Sequence, residues 1–306
     1  MTDSKPWMTV LTCPLRREYF ASTMASVRKA GGDRFEGPKV VFVDGGSDLT
    51  AEEWAWYKEI AGPWWDVRST NGYAKTDNPF LETKNAMLAI LHAAADDGAS
   101  YLIYMEDDIV LCKNAIDALS KVRVHDHIAF YTFCDIKNVA TLSGVTEYAG
   151  YDFLAPAGEG GHWGNQLLLI PGRSLRYLRK TTVLPNWTTT LKNLGPNWMH
   201  GPAQLAEEKR ASDILLGLSL ACEPAPWRAY GVFTPSLAQH VGERSLVNPV
   251  ATLGRWGRDT LTWPGEDFDA LTLDLECSQV HEGVPDHRID GKTRLQRRFR
   301  PMRPKK

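Results

Sequence analysis

The chain has 306 residues, 43% of them hydrophobic and 24% charged, with a formal net charge of −2. This is ordinary globular material for one large α/β domain; it excludes a mainly disordered chain and a strong global field toward polyanions. Five cysteines with no CxxC pair argue against a disulfide framework and a structural zinc site, and for a reducing compartment.

In chain order, Met8 to Thr12 (MTVLT) reads as a strand. The following RREYFASTMASVRKAGG reads as a helix with Tyr19/Phe20, Met24 and Val27 on one face, ended by Gly31-Gly32. Lys39 to Val43 is a second strand running into Asp44-Gly45-Gly46. Thr50 to Ile60 is a short helix opened by Thr50, with Glu52 and Glu53 in its first turn. Leu81 to Ala95 is an amphipathic helix, and Tyr101 to Met105 (YLIYM) is a continuous apolar run that stops at Glu106-Asp107-Asp108. Strand alternating with helix predicts a mostly parallel sheet flanked by helices, with ligands at the carboxyl ends of the strands, where Asp44 and the acidic triplet fall.

The second half is less regular. A Gly-rich loop, Gly158 to Trp163, precedes an apolar strand from Gln166 to Ile170. Leu184 to Pro202 reads as an irregular loop and Ala206 to Leu220 as a helix. With no repeat or linker, one domain over residues 1–285 is expected, followed by a basic tail over 286–306. From Lys292 to Lys306 there are eight Lys or Arg residues and no acid, either a solvated terminus or a patch for phosphates of a nucleic acid or an anionic membrane. The N-terminal residues hold no apolar stretch of signal-peptide length, and no window approaches the roughly 18 apolar residues of a membrane span. A soluble, cytoplasmic protein is therefore expected.

Three adjacent acids after five apolar residues are costly unless a cation neutralises them. The chain turns apolar again at Ile109-Val110-Leu111, which places the carboxylates in a cleft. Oxygen ligands there suit a hard divalent ion, Mn2+ or Mg2+, shared with substrate phosphates.

This pattern of apolar strand and acidic Asp-x-Asp-type cluster resembles the metal-binding motif of glycosyltransferases with the GT-A fold. The resemblance covers about residues 8 to 245 and implies a GT-A, Rossmann-like α/β architecture with a nucleotide-sugar donor. It implies that Asp108 binds the metal and that Glu106 and Asp107 lie near the ribose or hold metal-bound water. Glu in the first position departs from the family pattern. Thr12-Cys13-Pro14-Leu15-Arg16 looks like the loop that holds the nucleotide, with Thr12, Pro14 and Arg16 as its contacts. Asp44 looks like the acid that receives the base or ribose, or else a simple turn residue. Lys84 and Asn85 look like the donor-side basic-x-x-Asn region.

Pro235 to Gly242 (PSLAQHVG) resembles the late PSLxQHxG segment of the type IV branching N-acetylglucosaminyltransferases, which makes His240 the second metal ligand. A similar Asp-x-Leu-Leu stretch makes Asp213 the general base of an inverting transfer; read from the residues alone, it is equally a first-turn acid of a helix. His162, Trp163 and Asn165 form the expected acceptor side, where Trp163 either stacks on a sugar or packs in the core.

The expected activity is metal-dependent transfer of a sugar from a nucleotide diphosphate, most simply a UDP-sugar, to an acceptor hydroxyl. The acceptor is a glycan, a lipid-linked sugar or, given the basic tail and the many tryptophans, a hydroxymethylated base in DNA. A nucleotidyltransferase is disfavoured because TCPLRREYF lacks a glycine for a phosphate loop. A non-catalytic nucleotide-sugar, carbohydrate or nucleic-acid binding protein is the reading outside the transferases.

Overall fold

The computed structural model describes residues 5–70, 79–122, 124, 128–134, 150–156, 166–180, 229–242 and 263–273. Its first half follows the sequence pattern closely. Strand β1 spans Trp7–Thr12, helix α1 Arg17–Lys29, β2 Lys39–Val43, α2 Ala51–Ala61, β3 Asp66–Ser69, α3 Pro79–Asp96 and β4 Tyr101–Glu106. Thr50 caps α2 through a capping box: its hydroxyl accepts the Glu53 N–H while the Glu53 carboxylate accepts the Thr50 N–H. Gly31, with a φ of 100°, takes the left-handed conformation that ends α1.

After β4 the chain makes a short strand β5 (Ile109–Leu111), helix α4 (Ala115–Leu119), strands β6 (Ile128–Thr132), β7 (Gly150–Pro156) and β8 (Leu167–Pro171), helix α5 (Gly172–Lys180), and strands β9 (Ala229–Thr234) and β10 (Ala238–His240). Eight strands form one sheet in the order β3-β2-β1-β4-β8-β6-β9-β7, while β5 and β10 pair separately. Four of the large sheet's seven pairings are parallel, and all three that join β1 to β4 are among them. The three antiparallel pairings lie in the second half.

The central strands β1, β2 and β4 are buried on both faces by alternation of their side chains. Met8, Val10, Val41, Val43, Ile103 and Met105 meet Phe20, Met24 and Val27 of α1 and Tyr57 of α2. Trp7, Leu11, Val40, Phe42, Leu102 and Tyr104 meet Ile90, Leu91 and Ala94 of α3 and Leu175 and Leu178 of α5. Two-sided burial is why β1, β2 and β4 read as unbroken apolar runs.

Three details differ from the sequence reading. β4 extends through Glu106 rather than stopping before it, because the Glu106 N–H is held by Gln166 O across the β4–β8 ladder. Tyr19 is half-exposed, and the buried face of α1 instead includes two hydroxyl residues, Thr23 and Ser26. β3, whose DVRS sequence is polar, and β6, β7 and β9 were not foreseen. The expected loop over 184–202, the helix over 206–220 and the tail over 286–306 lie outside the described residues, and no helix among those described is long and apolar enough to cross a membrane.

Thr23 and Ser26 solve a specific problem. Among the described residues β5 pairs with β10 along one edge only, through Ile109↔His240, Val110↔Gln239 and Leu111↔Ala238. Its other edge would be left with buried, unpaired backbone groups. Thr23 Oγ1 accepts the Ile109 N–H at 3.1 Å and lies 2.8 Å from Ile109 O and 2.7 Å from Asp107 O. Ser26 Oγ accepts the Leu111 N–H at 2.7 Å. Two side chains on a helix thus stand in for a neighbouring strand and pin the turn at residues 106–108. Thr23→Val keeps the shape and removes the hydroxyl, so it is expected to cost about 1–3 kcal/mol in denaturant unfolding; an unchanged midpoint would show that the clamp does not hold β5.

Candidate functional site

The parallel half of the sheet brings the ends of β1, β2 and β4 to one edge, since Leu11 is in register with Glu106 and Thr12 with Val43. At that edge Asp44 continues β2, its N–H bonded to Thr12 O at 2.8 Å and its carboxylate accepting the Thr70 hydroxyl at 2.7 Å. Gly45 follows in the left-handed region, which lets the chain turn away.

Asp107 and Asp108 sit in the β4–β5 turn and are 2% and 3% exposed. Their backbone is held on both sides: Thr23 lies on Asp107 O, and the Val241 N–H donates to Asp108 O at 2.8 Å. Thr12, itself buried, donates its hydroxyl to Asp107 Oδ2 at 2.7 Å. Arg16 reaches across from the end of the 3-10 turn Pro14–Arg16, with Nε 2.9 Å from Asp107 Oδ1 and Nη2 paired with Asp108 Oδ2. His240 Nε2 lies 2.6 Å from the same Asp108 Oδ2.

His240 arrives because its segment is anchored from behind. Ser236 is buried with its hydroxyl 2.7 Å from Ala238 O and 3.0 Å from Phe133 O, and the Leu237 N–H donates to Phe133 O at 2.8 Å. Phe133 and Phe233 pack with ring centroids 5.1 Å apart. The β5–β10 register then sets Ile109 against His240, one residue from Asp108. Gly242 closes the turn, and a Cβ at that position would fall on Asp108 Oδ2 and lie 3.0 Å from Asp108 Cβ.

These contacts divide the charge unequally. Burial, with the charge of Asp108, pushes the Asp107 carboxyl up to about 7 against the pull of Arg16 and Thr12. Burial acts on Asp108 in the same sense, but the hydrogen bond and charge of His240, with Arg16, outweigh it and hold Asp108 below the usual carboxylate range. Burial disfavours the imidazolium of His240, yet the bond and charge of Asp108, with Glu106, raise its pKa above the ordinary value. Asp108 is the ionised member of the acidic pair.

The donor set can be tested against a hard divalent ion. Asp108 Oδ1 is buried and has no hydrogen-bond partner, an orphaned lone pair of the kind a cation satisfies. Asp108 and His240 supply one oxygen and one ring nitrogen at a single point. Among the described residues no group of three or more His, Cys, Asp or Glu gathers into a cage. The residues therefore fit an open Mn2+ or Mg2+ site that takes its remaining ligands from phosphate and water, and do not fit a closed structural site.

The other expected residues fall in several places. Pro14 starts the 3-10 turn beside the acids and Leu15 within it is 80% exposed. Lys84 and Asn85 lie in α3, Asn85 half-buried; the Lys84 side chain is outside the described residues. Asp213, His162, Trp163 and Asn165 are also outside them. Thr23, Ser26, Ser236 and Gly242 were missed as site residues. Hydroxyls three apart on an otherwise apolar helix face were the available signal for the first two.

Neither a protein-family model nor a curated protein matches the sequence. Solved structures with a similar course of chain include three glycosyltransferases. The galactosyltransferase LgtC in complex with donor and acceptor sugar analogs is 13% identical over 87% of this chain and 96% of that one, with a TM-score of 0.42. The mannosyltransferase PcManGT from Pyrobaculum calidifontis, in complex with GDP-Man and Mn2+, is 11% identical over 76% of this chain and 55% of that one, with a TM-score of 0.39. The bifunctional glycosyltransferase WbbM is 11% identical over 57% of this chain, which spans 33% of its length, with a TM-score of 0.38. Identities this low leave the chemistry to be read from this chain's own residues.

The Asp108–His240 pair has a pH signature. A raised His240 pKa means that its contribution to stability is complete below about pH 6.5, the unfolded value, and is lost as pH rises through the folded one. His240→Gln is expected to remove that alkaline-side decline, and an NMR titration should place the His240 transition above its ordinary value in wild type and lower it in Asp108→Asn. Gly242→Ala forces a methyl against the carboxylate, with an expected cost of about 1–3 kcal/mol and a lowered His240 pKa; an unshifted His240 titration in that variant would show that the turn absorbs the methyl.

Proposed function

We propose that the chain is a metal-dependent glycosyltransferase of the GT-A type, taking a nucleotide-diphosphate sugar as donor. The observation that carries this reading is the convergence of Asp108 and His240, 132 residues apart, on one point at the carboxyl edge of the parallel strands, with a buried Asp108 oxygen left unsatisfied. Such an edge is where α/β sheets bind nucleotides.

Asp108 and His240 are the residues that would hold a divalent ion. When bound, that ion neutralises the charge that develops on the departing diphosphate. Arg16 and the Pro14–Arg16 turn, beside the acids, are assigned to the diphosphate. Thr12 and Thr23 fix the acids through Asp107, and Asp44, oriented by Thr70, receives the ribose or base. Lys84 and Asn85, in the α3 sequence, are assigned to the donor. The donor is a UDP-sugar in this reading. Asp213 takes the proton of the acceptor hydroxyl as its oxygen attacks the anomeric carbon and the bond to the diphosphate breaks, inverting the configuration. His162, Trp163 and Asn165 are assigned to the acceptor, a glycan or lipid-linked sugar. The late PSLAQHVG segment, similar to that of the type IV branching enzymes, supports His240 in its role without carrying their activity.

A second acceptor is a hydroxymethylated base in DNA, favoured by the eight basic residues between Lys292 and Lys306.

Calorimetric titration of UDP- and GDP-sugars with and without Mn2+ tests the donor site. One nucleotide sugar is expected to bind only with metal and to lose that binding in Asp108→Ala. Absence of binding to any of them under either condition would remove the donor reading and leave a binding module of another kind.

A further inference from the structure

A divalent cation bridging Asp108 and His240 would meet Arg16, whose Nη2 already sits on Asp108 Oδ2, the oxygen that faces His240, while Asp108 Oδ1 has no hydrogen-bond partner. We propose that Arg16 is the resident counter-ion of the turn, displaced from Asp108 when a divalent cation binds there. The inference rests on the metal reading of the same site and adds an exchange between two cations.

Three features support an exchange over a fixed structural ion pair. Asp107 and Asp108 are both buried, so the turn needs positive charge in the absence of any ligand. Arg16 supplies it, yet neither its Nε nor its Nη2 has a hydrogen-bond partner in addition to these ion contacts. Nε and Nη2 are thus engaged by the two carboxylates alone, so a cation that takes over Asp108 leaves Nη2 with no other acceptor to hold it there. Finally, Arg16 has somewhere to go. It ends a three-residue 3-10 turn, its side chain is 17% exposed, and its guanidinium carbon already stands 5.5 Å from the centre of the Tyr19 ring. The ring contact exists alongside the ion pairs and remains for a guanidinium that leaves Asp108.

The charge balance gives the exchange a direction. A divalent ion added while Arg16 stays in place would bring two cations against two carboxylates in a buried site, with His240 alongside. A diphosphate restores balance by offering the freed guanidinium an anion. Metal alone should therefore bind weakly, and metal with a nucleoside diphosphate strongly.

The test is Mn2+ binding by calorimetry, in the absence of nucleotide, to wild type, Arg16→Met, Asp107→Asn, the double variant and Asp108→Asn, with melting temperatures taken with and without Mn2+. Arg16→Met is expected to bind Mn2+ at least about tenfold more tightly than wild type, since a competing charged contact has been removed. Mn2+ should also raise its melting temperature by more. Should Arg16→Met fail to fold without metal, the comparison passes to Asp107→Asn against the double variant, where one buried charge fewer remains; the double variant should again bind more tightly. Equal or weaker Mn2+ binding after loss of Arg16 overturns the exchange while leaving the metal reading intact, provided that wild type binds Mn2+ and Asp108→Asn does not. Absence of Mn2+ binding to every variant overturns the exchange, and the metal reading then falls or stands on the titration of nucleotide sugars with Mn2+.

Discussion

The structure depends on a single electrostatic constraint: two adjacent carboxylates are buried at the end of a central strand. Desolvation of one carboxylate costs several kcal/mol, and of two in contact more, so neighbouring elements must supply compensation. Here it comes from three directions. Arg16 reaches over from the turn after β1, Thr12 donates from the end of β1, and His240 arrives on β10. The environment also separates the two acids. Burial pushes the Asp107 carboxyl up, while His240 and Arg16 hold Asp108 down.

The rest of the architecture keeps that turn in place. β5 is only three residues long and has one strand partner among the described residues, too little to be stable by itself. α1 supplies its second edge with hydroxyls instead of a strand. The apolar face of the same helix packs on the sheet through Phe20, Met24 and Val27, so one element fixes both the core and the acids. Farther out, Asn114 holds a left-handed conformation with a φ of 57° and donates to Asp269 at 3.0 Å, and Lys113 bridges to Asp269 in backbone register. The segment at 263–273 is thereby tied to the end of β5.

Much of the parallel half was legible because its signals are local. Burial on both faces gives uniform apolar runs, Thr50 with Glu53 spells a capping box, and Gly31 marks a helix end. The acidic triplet stood out because charge directly after an apolar strand demands a partner. The partners themselves were harder to see. His240 was reachable through its motif, whereas the ion pairs of Arg16 depend on the crossing of two loops that sequence spacing does not encode. Thr23 and Ser26 read as unremarkable helix residues because their purpose lies in a strand about 85 positions away. β3 carries Asp66 and Arg68 among its four residues; its position at the sheet edge, where alternate side chains meet water, explains why apolar periodicity was silent.

The span between Asp108 and His240 bears on how the protein comes into being. The pair closes a loop of 132 residues, and contacts between such distant positions form late because the entropy of closing the loop precedes any reward. During synthesis β4 and its acids emerge well before β10, so for that interval the turn has Arg16 and Thr12 as partners and no imidazole. The two halves of the candidate site thus join only when the second half of the sheet has been made and docked. A chain truncated before residue 240 would therefore lack both the imidazole that holds Asp108 ionised and the strand that pairs with β5, and could not complete the site.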